Sequence, residues 1–272
     1  MCRWLAYRGE PIFLSELLFE PENSLIDQSL HAREAIATTN GDGFGIGWYD
    51  ARPGPGLFRD VLPAWNDDNL RSIAEQIRSG LFLAHVRAST GTGTARQNCH
   101  PFRHGRWLFM HNGQIGGYAD IRRRLEMEIA PELYRERLGT TDTEAMFLLA
   151  LTYGLEQEPE AALGRMVATI EALMAEAGAE RPLRISAAVT DSTRIIALRY
   201  SSDRRSPSLY LGLGGEALAE AGLAHGGGDP GVLVLSEPLD DVSENWQPVE
   251  EASLVVAGPD GIAVTPFRPE AP

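Results

Sequence analysis

A chain of 272 residues can bury a substantial core, as one large domain or two small ones. With 43% hydrophobic and 23% charged residues its composition is that of ordinary globular proteins, which excludes a disordered or fibrous chain. The net charge of -14 sets the surface against nucleic-acid phosphates and anionic membranes, and no apolar run approaches the roughly 20 residues that span a bilayer.

No basic region followed by an apolar stretch opens the chain, so no secretory leader is expected and the expected compartment is cytoplasmic. In a reducing compartment the two cysteines, Cys2 and Cys99, need separate explanations rather than a disulfide.

Alternation in Cys2-Arg3-Trp4-Leu5-Ala6-Tyr7 predicts a strand, and Gly43 to Tyr49 predicts another, entered through the turn residues Asn40-Gly41-Asp42-Gly43. The spacing of Leu70, Ile73, Ile77 and Leu81 after Asn66-Asp67-Asp68 predicts a helix, with strand character returning from Leu81 to Ala88. Trp107 to Met110 is a short apolar run that ends in a predicted turn at His111-Asn112-Gly113. An amphipathic helix is predicted from Tyr118 to Ile129, which places Arg122-Arg123-Arg124 on a solvated helix face.

Thr141-Asp142-Thr143-Glu144 opens a further helix through a Thr or Asp cap, and a third runs from about Pro159 to Ala177. Strand patterns then follow at Leu183 to Val189, Arg194 to Tyr200, Gly231 to Leu235, Ser253 to Val256 and Gly261 to Val264. His225 to Gly231 reads as a flexible glycine-rich loop. Neither it nor Gly41 to Gly47 has the spacing of a phosphate loop or dinucleotide fingerprint, so no nucleotide site is assigned. Strands, then helices, then strands indicate an α+β layered protein.

Cys2 directly follows the initiator methionine, and its small side chain suits removal of Met1. A freed α-amine, with a reference pKa of about 7.7–8.0, can serve as general base for the thiol of its own residue. On its own Cys2 reads as a buried strand cysteine or a terminal thiol before it reads as a nucleophile.

Six segments, taken together and in order, change that reading. They are Met1-Cys2-Arg3-Trp4-Leu5-Ala6-Tyr7, Asn40-Gly41-Asp42-Gly43-Phe44-Gly45-Ile46-Gly47-Trp48-Tyr49, His85-Val86-Arg87-Ala88-Ser89-Thr90, Asn98-Cys99-His100-Pro101-Phe102, Met110-His111-Asn112-Gly113 and Thr141-Asp142-Thr143-Glu144. In this the chain resembles the class II glutamine amidotransferases, which are N-terminal-nucleophile hydrolases. Ser236-Glu237-Pro238-Leu239 and Trp246-Gln247-Pro248 resemble more weakly the stand-alone subgroup that includes γ-glutamyl hydrolases of thiol metabolism.

The resemblance implies a four-layer α/β/β/α sandwich of two antiparallel sheets, with residues 2–272 as one domain after loss of Met1. It implies Cys2 as nucleophile, and the Asn112 side-chain amide with the Gly113 N–H as donors to the oxyanion that forms when an amide carbonyl is attacked. Arg87, a planar fork, would take the substrate α-carboxylate, with Ser89, Thr90 and Gly91 lining that end. Asp142 would accept from the α-ammonium, whether or not it also caps its helix.

No metal and no cofactor are implied: His85, His100, His104, His111 and Cys99 lack zinc-site spacing and are expected to shape the pocket. The expected substrate is a small molecule, glutamine or a γ-glutamyl conjugate, with no nucleic acid and no membrane as partner. Two alternatives remain at this level. One is a glutaminase supplying ammonia to a separate acceptor protein; the other is a γ-glutamyl-binding module without catalysis, for which neither a nucleophile nor oxyanion donors would be needed.

Overall fold

The computed structural model describes residues 2–33, 39–89, 91–213 and 231–270. Strand β1 (Arg3–Phe13) lies inside a seven-stranded sheet between β4 (Arg78–Val86) and β10 (Val232–Leu235). Beyond β4 come β2 (Phe44–Trp48) and β3 (Gly56–Asp60); beyond β10 come β9 (Tyr210–Leu213) and β11 (Trp246–Pro248). A second sheet has the order β13 (Gly261–Pro266), β12 (Ser253–Gly258), β8 (Ile195–Ser201), β7 (Arg184–Thr190), β6 (Trp107–Gln114), β5 (Phe102–His104). Every pairing in both sheets is antiparallel.

Period-two alternation sorts the strand residues into layers. On β1, Trp4 and Ala6 enter the apolar layer between the sheets, while Leu5 and Tyr7 face outward. On β6, Leu108 and Met110 point between the sheets, while Trp107 and Phe109 face outward. The first sheet's outer face is covered by α1 (Ser15–Leu18), α2 (Leu25–His31) and α3 (Asp68–Ala74). The second sheet's outer face is covered by α4 (Tyr118–Met127), the short α5 (Pro131–Tyr134), α6 (Asp142–Thr152) and α7 (Pro159–Glu176). The order is therefore helix, sheet, sheet, helix, the expected four-layer sandwich. Helix α6 is buried on all sides from Thr143 to Leu151, as a helix must be when it packs against both a sheet and other helices.

Close approach of the sheets explains the glycine-rich strand β2. A β-carbon on Gly45 would lie 2.1 Å from the carbonyl oxygen of His100, so the Gly-x-Gly spacing makes room for backbone and not for a nucleotide. The arginine run behaves as a helix surface: Arg122 donates to Glu126 at 2.7 Å, Arg123 is exposed and Arg124 pairs with Glu176. Among the described residues no helix is long and apolar enough to cross a membrane.

Two expectations are corrected. The helix beginning near Leu70 ends at Ala74, and Leu81 belongs to β4. Ile77 already accepts a sheet-like hydrogen bond from Leu14 N–H at 3.1 Å, so pairing with β1 overrides the helical spacing. His111-Asn112-Gly113 is not a turn: β6 continues through it, with Asn112 opposite Ser186 and Gly113 opposite Ile185. The dipeptide that would reverse a chain is here held straight by a partner strand far along the sequence. Met1, Thr90 and, apart from Gly231, the glycine-rich loop lie outside the described residues.

Candidate active site

The rows of side chains that fill the layer between the sheets change character at one end. Ala6 and Trp4 lead to Cys2 along β1, and Leu83 leads to His85 and Arg87 along β4. On β6, Leu108 and Met110 lead to Asn112. Apolar rows thus end in a thiol, a guanidinium and a carboxamide. All three line one cavity of about 300 Å³, the size of a pocket for one small metabolite.

Cys2 reaches this cavity through strand register. Arg3 pairs with Val86, which sets Cys2 beside the segment that follows β4, and its Sγ lies 3.6 Å from the Ala88 carbonyl oxygen. The cysteine is half-buried. Burial pushes its thiol above the ordinary value, opposed by the Ala88 contact and the Arg87 charge.

Arg87 is 3% exposed, and its guanidinium is held by neutral oxygens: the Asp42 carbonyl at 3.2 Å, Ser89 Oγ at 3.2 Å and Thr92 Oγ1 at 2.6 Å. Among the described residues it makes no salt bridge. A buried cation without a carboxylate partner is a ready receptor for an anion. The turn Asn40 to Gly43 supports the arrangement, since Asp42 Oδ2 accepts from Ser89 N–H at 2.7 Å.

Asn112 is fully buried, and among the described residues neither its Nδ2 nor its Oδ1 has a hydrogen-bond partner. Leaving a buried amide unpaired costs about 1–3 kcal/mol, so its retention points to a ligand. Across the layer, Trp4 Nε1 donates to the Ser186 carbonyl at 3.1 Å, tying the two sheets together beside Asn112. Gly113 has φ of +146°, a conformation that favours glycine.

The N-terminus of α6 closes the opposite wall. Thr141, not Asp142, is the cap: its Oγ1 accepts from Glu144 N–H at 3.1 Å. Asp142 is left to accept from Thr143 N–H at 2.8 Å and Ile115 N–H at 3.0 Å while lining the cavity.

Three histidines pack around the floor. His85 Nε2 faces the His111 carbonyl at 3.2 Å and His100 Nδ1 at 2.7 Å. A carbonyl only accepts, so His85 carries its proton on Nε2 and His100 accepts. His111 Nε2 donates to the Arg184 carbonyl at 3.2 Å, and its Nδ1 accepts from Thr143 Oγ1 at 3.0 Å. Burial lowers His85 to about 3, His100 well below its ordinary value, and His111 in the same direction, so all three are neutral at pH 7. His104 lies elsewhere, 2.7 Å from Glu136. Cys99 is buried against Asp60, 3.3 Å from its carbonyl oxygen, and does not line the cavity.

Of the residues singled out in the sequence, Cys2, Arg87, Ser89, Asn112, Gly113 and Asp142 share this cavity; Thr90 is outside the described residues. The cavity also takes in Thr92, Gln114, Thr143, Arg184 and Pro207. Thr143 lies within a segment already noted. Arg184 and Pro207 are brought in only by the pairing of β6 with β7 and by the chain beyond β8, and no local pattern signals them.

Two antiparallel sheets between helices are the architecture of the N-terminal-nucleophile hydrolases, and Cys2 lines a cavity at one end of the layer they enclose. Within that class, the family model of glutamine amidotransferases class-II matches residues 20–268, and the chain belongs to this family. A probable glutamine amidotransferase of Saccharomyces cerevisiae, DUG3, is 33% identical over 99% of this chain and 85% of its own length. A γ-glutamyl-hercynylcysteine sulfoxide hydrolase of Mycolicibacterium smegmatis is 28% identical over 98% of this chain and 100% of its own. Among solved structures, a glutamine aminotransferase class-II domain protein from Silicibacter pomeroyi superimposes with a TM-score of 0.76 at 39% identity, covering 99% of this chain and 100% of that one.

Proposed function

We propose that the protein hydrolyses γ-glutamyl amides through a thioester on Cys2, with a γ-glutamyl conjugate rather than free glutamine as its preferred substrate. The observation that carries the reading is the Asn112 carboxamide, fully buried and unpartnered, in the same cavity as Cys2. Loss of Met1 frees the Cys2 α-amine, which takes the thiol proton as sulfur attacks the γ-carbonyl. Asn112 Nδ2 and Gly113 N–H receive the oxyanion. The C–N bond then breaks, the amine leaves with the proton, and water releases glutamate from the thioester.

Arg87 takes the substrate α-carboxylate beside Ser89, and Asp142 takes the α-ammonium. That division of labour matches a buried cation with no salt bridge to a carboxylate whose remaining acceptor capacity faces the same space. Similarity to a γ-glutamyl-conjugate hydrolase along nearly the whole of both chains supports the choice of substrate class.

Intact mass before and after incubation with a glutamine-analogue diazo-ketone tests the site. Expected are loss of Met1 and a single adduct, absent from Cys2→Ala. Hydrolysis of a panel comprising glutamine, a γ-glutamyl anilide and γ-glutamyl dipeptides then tests the substrate. Full activity in Cys2→Ala would overturn the mechanism, and a preference for glutamine would overturn the substrate class.

A further inference from the structure

Arg3 and Glu237 form an ion pair almost wholly removed from water: their side chains are 0% and 2% exposed, with Arg3 Nε 2.8 Å from Glu237 Oε2. Glu237 Oε1 accepts from the Arg33 N–H at 3.0 Å and from Asn23 Nδ2 at 3.3 Å, which fixes the carboxylate. The guanidinium in turn donates from Nη1 to the carbonyl oxygen of Cys2 at 3.0 Å. Next along the chain, Ser236 grips Trp4 from both sides. Its Oγ accepts from Trp4 N–H at 2.8 Å, and its own N–H donates to the Trp4 carbonyl at 2.9 Å. Ser236 and Glu237 thereby clamp two consecutive residues, Trp4 and Arg3.

Buried ion pairs are poor devices for stability, because stripping two charges of water offsets most of their attraction and an apolar pair generally serves as well. This one is less favourable still, since Arg3 Nη2 is buried with no partner among the described residues. A reason other than stability is called for, and the Cys2 carbonyl supplies it. Once Met1 is gone, nothing holds Cys2 from its N-terminal side, and the ladder with β4 starts only at Arg3. The orientation of its Cα substituents then depends on the peptide that joins it to Arg3.

We infer that Arg3, locked by Glu237, is a positioning residue for Cys2: it holds the Cys2 carbonyl and so sets the directions of Sγ and the α-amine. The inference rests on the reading of Cys2 as nucleophile. Neither Arg3 nor Glu237 lines the cavity. The pair is neutral as a whole. Its action is geometric, and the proton affinities at the site are expected to stay as they are.

Arg3→Lys and Glu237→Gln test this in processed protein. Lysine can still pair with Glu237 but lacks the fork that reaches the Cys2 carbonyl at the same time. Rates are divided by the fraction of chains labelled by the diazo-ketone, using the best substrate of the panel. Expected for Arg3→Lys is a fall in kcat of about tenfold or more with KM within about twofold, and an unmoved pH midpoint of kcat/KM. Glu237→Gln should change in the same direction; if it does not fold, Arg3→Lys decides. A kcat per labelled site within about twofold of wild type, or a loss confined to KM, would overturn the positioning role while leaving the amidase reading intact. A wild-type protein that is neither labelled nor active would overturn the amidase reading and this role with it.

Discussion

Gly113 lies so close to Arg184 across the paired strands β6 and β7 that a β-carbon on Gly113 would sit 1.9 Å from the Arg184 carbonyl oxygen. The same carbonyl accepts from His111 Nε2 at 3.2 Å, so one oxygen fixes both neighbours of Asn112. Gly113→Ala must therefore push the strands apart at the oxyanion donors. Turnover is expected to fall by at least about 10²–10³, the usual effect of losing one such donor. Steady-state kinetics, corrected for the folded fraction at the assay temperature, would show the loss in kcat. Unchanged turnover would mean that the Gly113 backbone does not serve the reaction.

Asn112→Ala should separate stability from activity. The wild-type carboxamide is buried with both polar atoms unpaired, and removing it relieves a desolvation cost of about 1–3 kcal/mol, offset by lost packing. Thermal unfolding is expected at an unchanged or higher Tm, with kcat reduced by about 10²–10³. A parallel fall of both would assign Asn112 to the core instead of the reaction.

The layered architecture was legible because the rows that build it alternate cleanly. Trp4 and Ala6 against Leu5 and Tyr7 need only a period of two. The His111-Asn112-Gly113 strand was not legible: Asn-Gly favours a turn locally, and the partner that holds it straight is β7, more than sixty residues away in the chain. Ile77 and Leu81 failed for a related reason, since two apolar residues at helical spacing serve equally well as the entry to a strand. Cys2, Arg87 and Asp142 could be picked out from short segments and a family resemblance, because each sits at the end of an element. Arg184 could not, being set by sheet register alone.

The buried histidines predict how the protein responds to acid. His85 falls to about 3 in the fold, and His100 and His111 also fall, all chiefly through burial, against about 6.5 in an unfolded chain. The unfolded state then binds more protons below pH about 6.5, so stability rises with pH up to that point and is fully present above it. As pH drops from about 6.5 towards 3, His85 alone removes about 1.4 kcal/mol per pH unit, and His100 and His111 add to the loss in the same direction. Urea unfolding between pH 8 and 5, above the range where most carboxylates titrate, should give a plateau and then this decline. Stability that stays flat down to pH 5 would contradict the burial of neutral imidazoles.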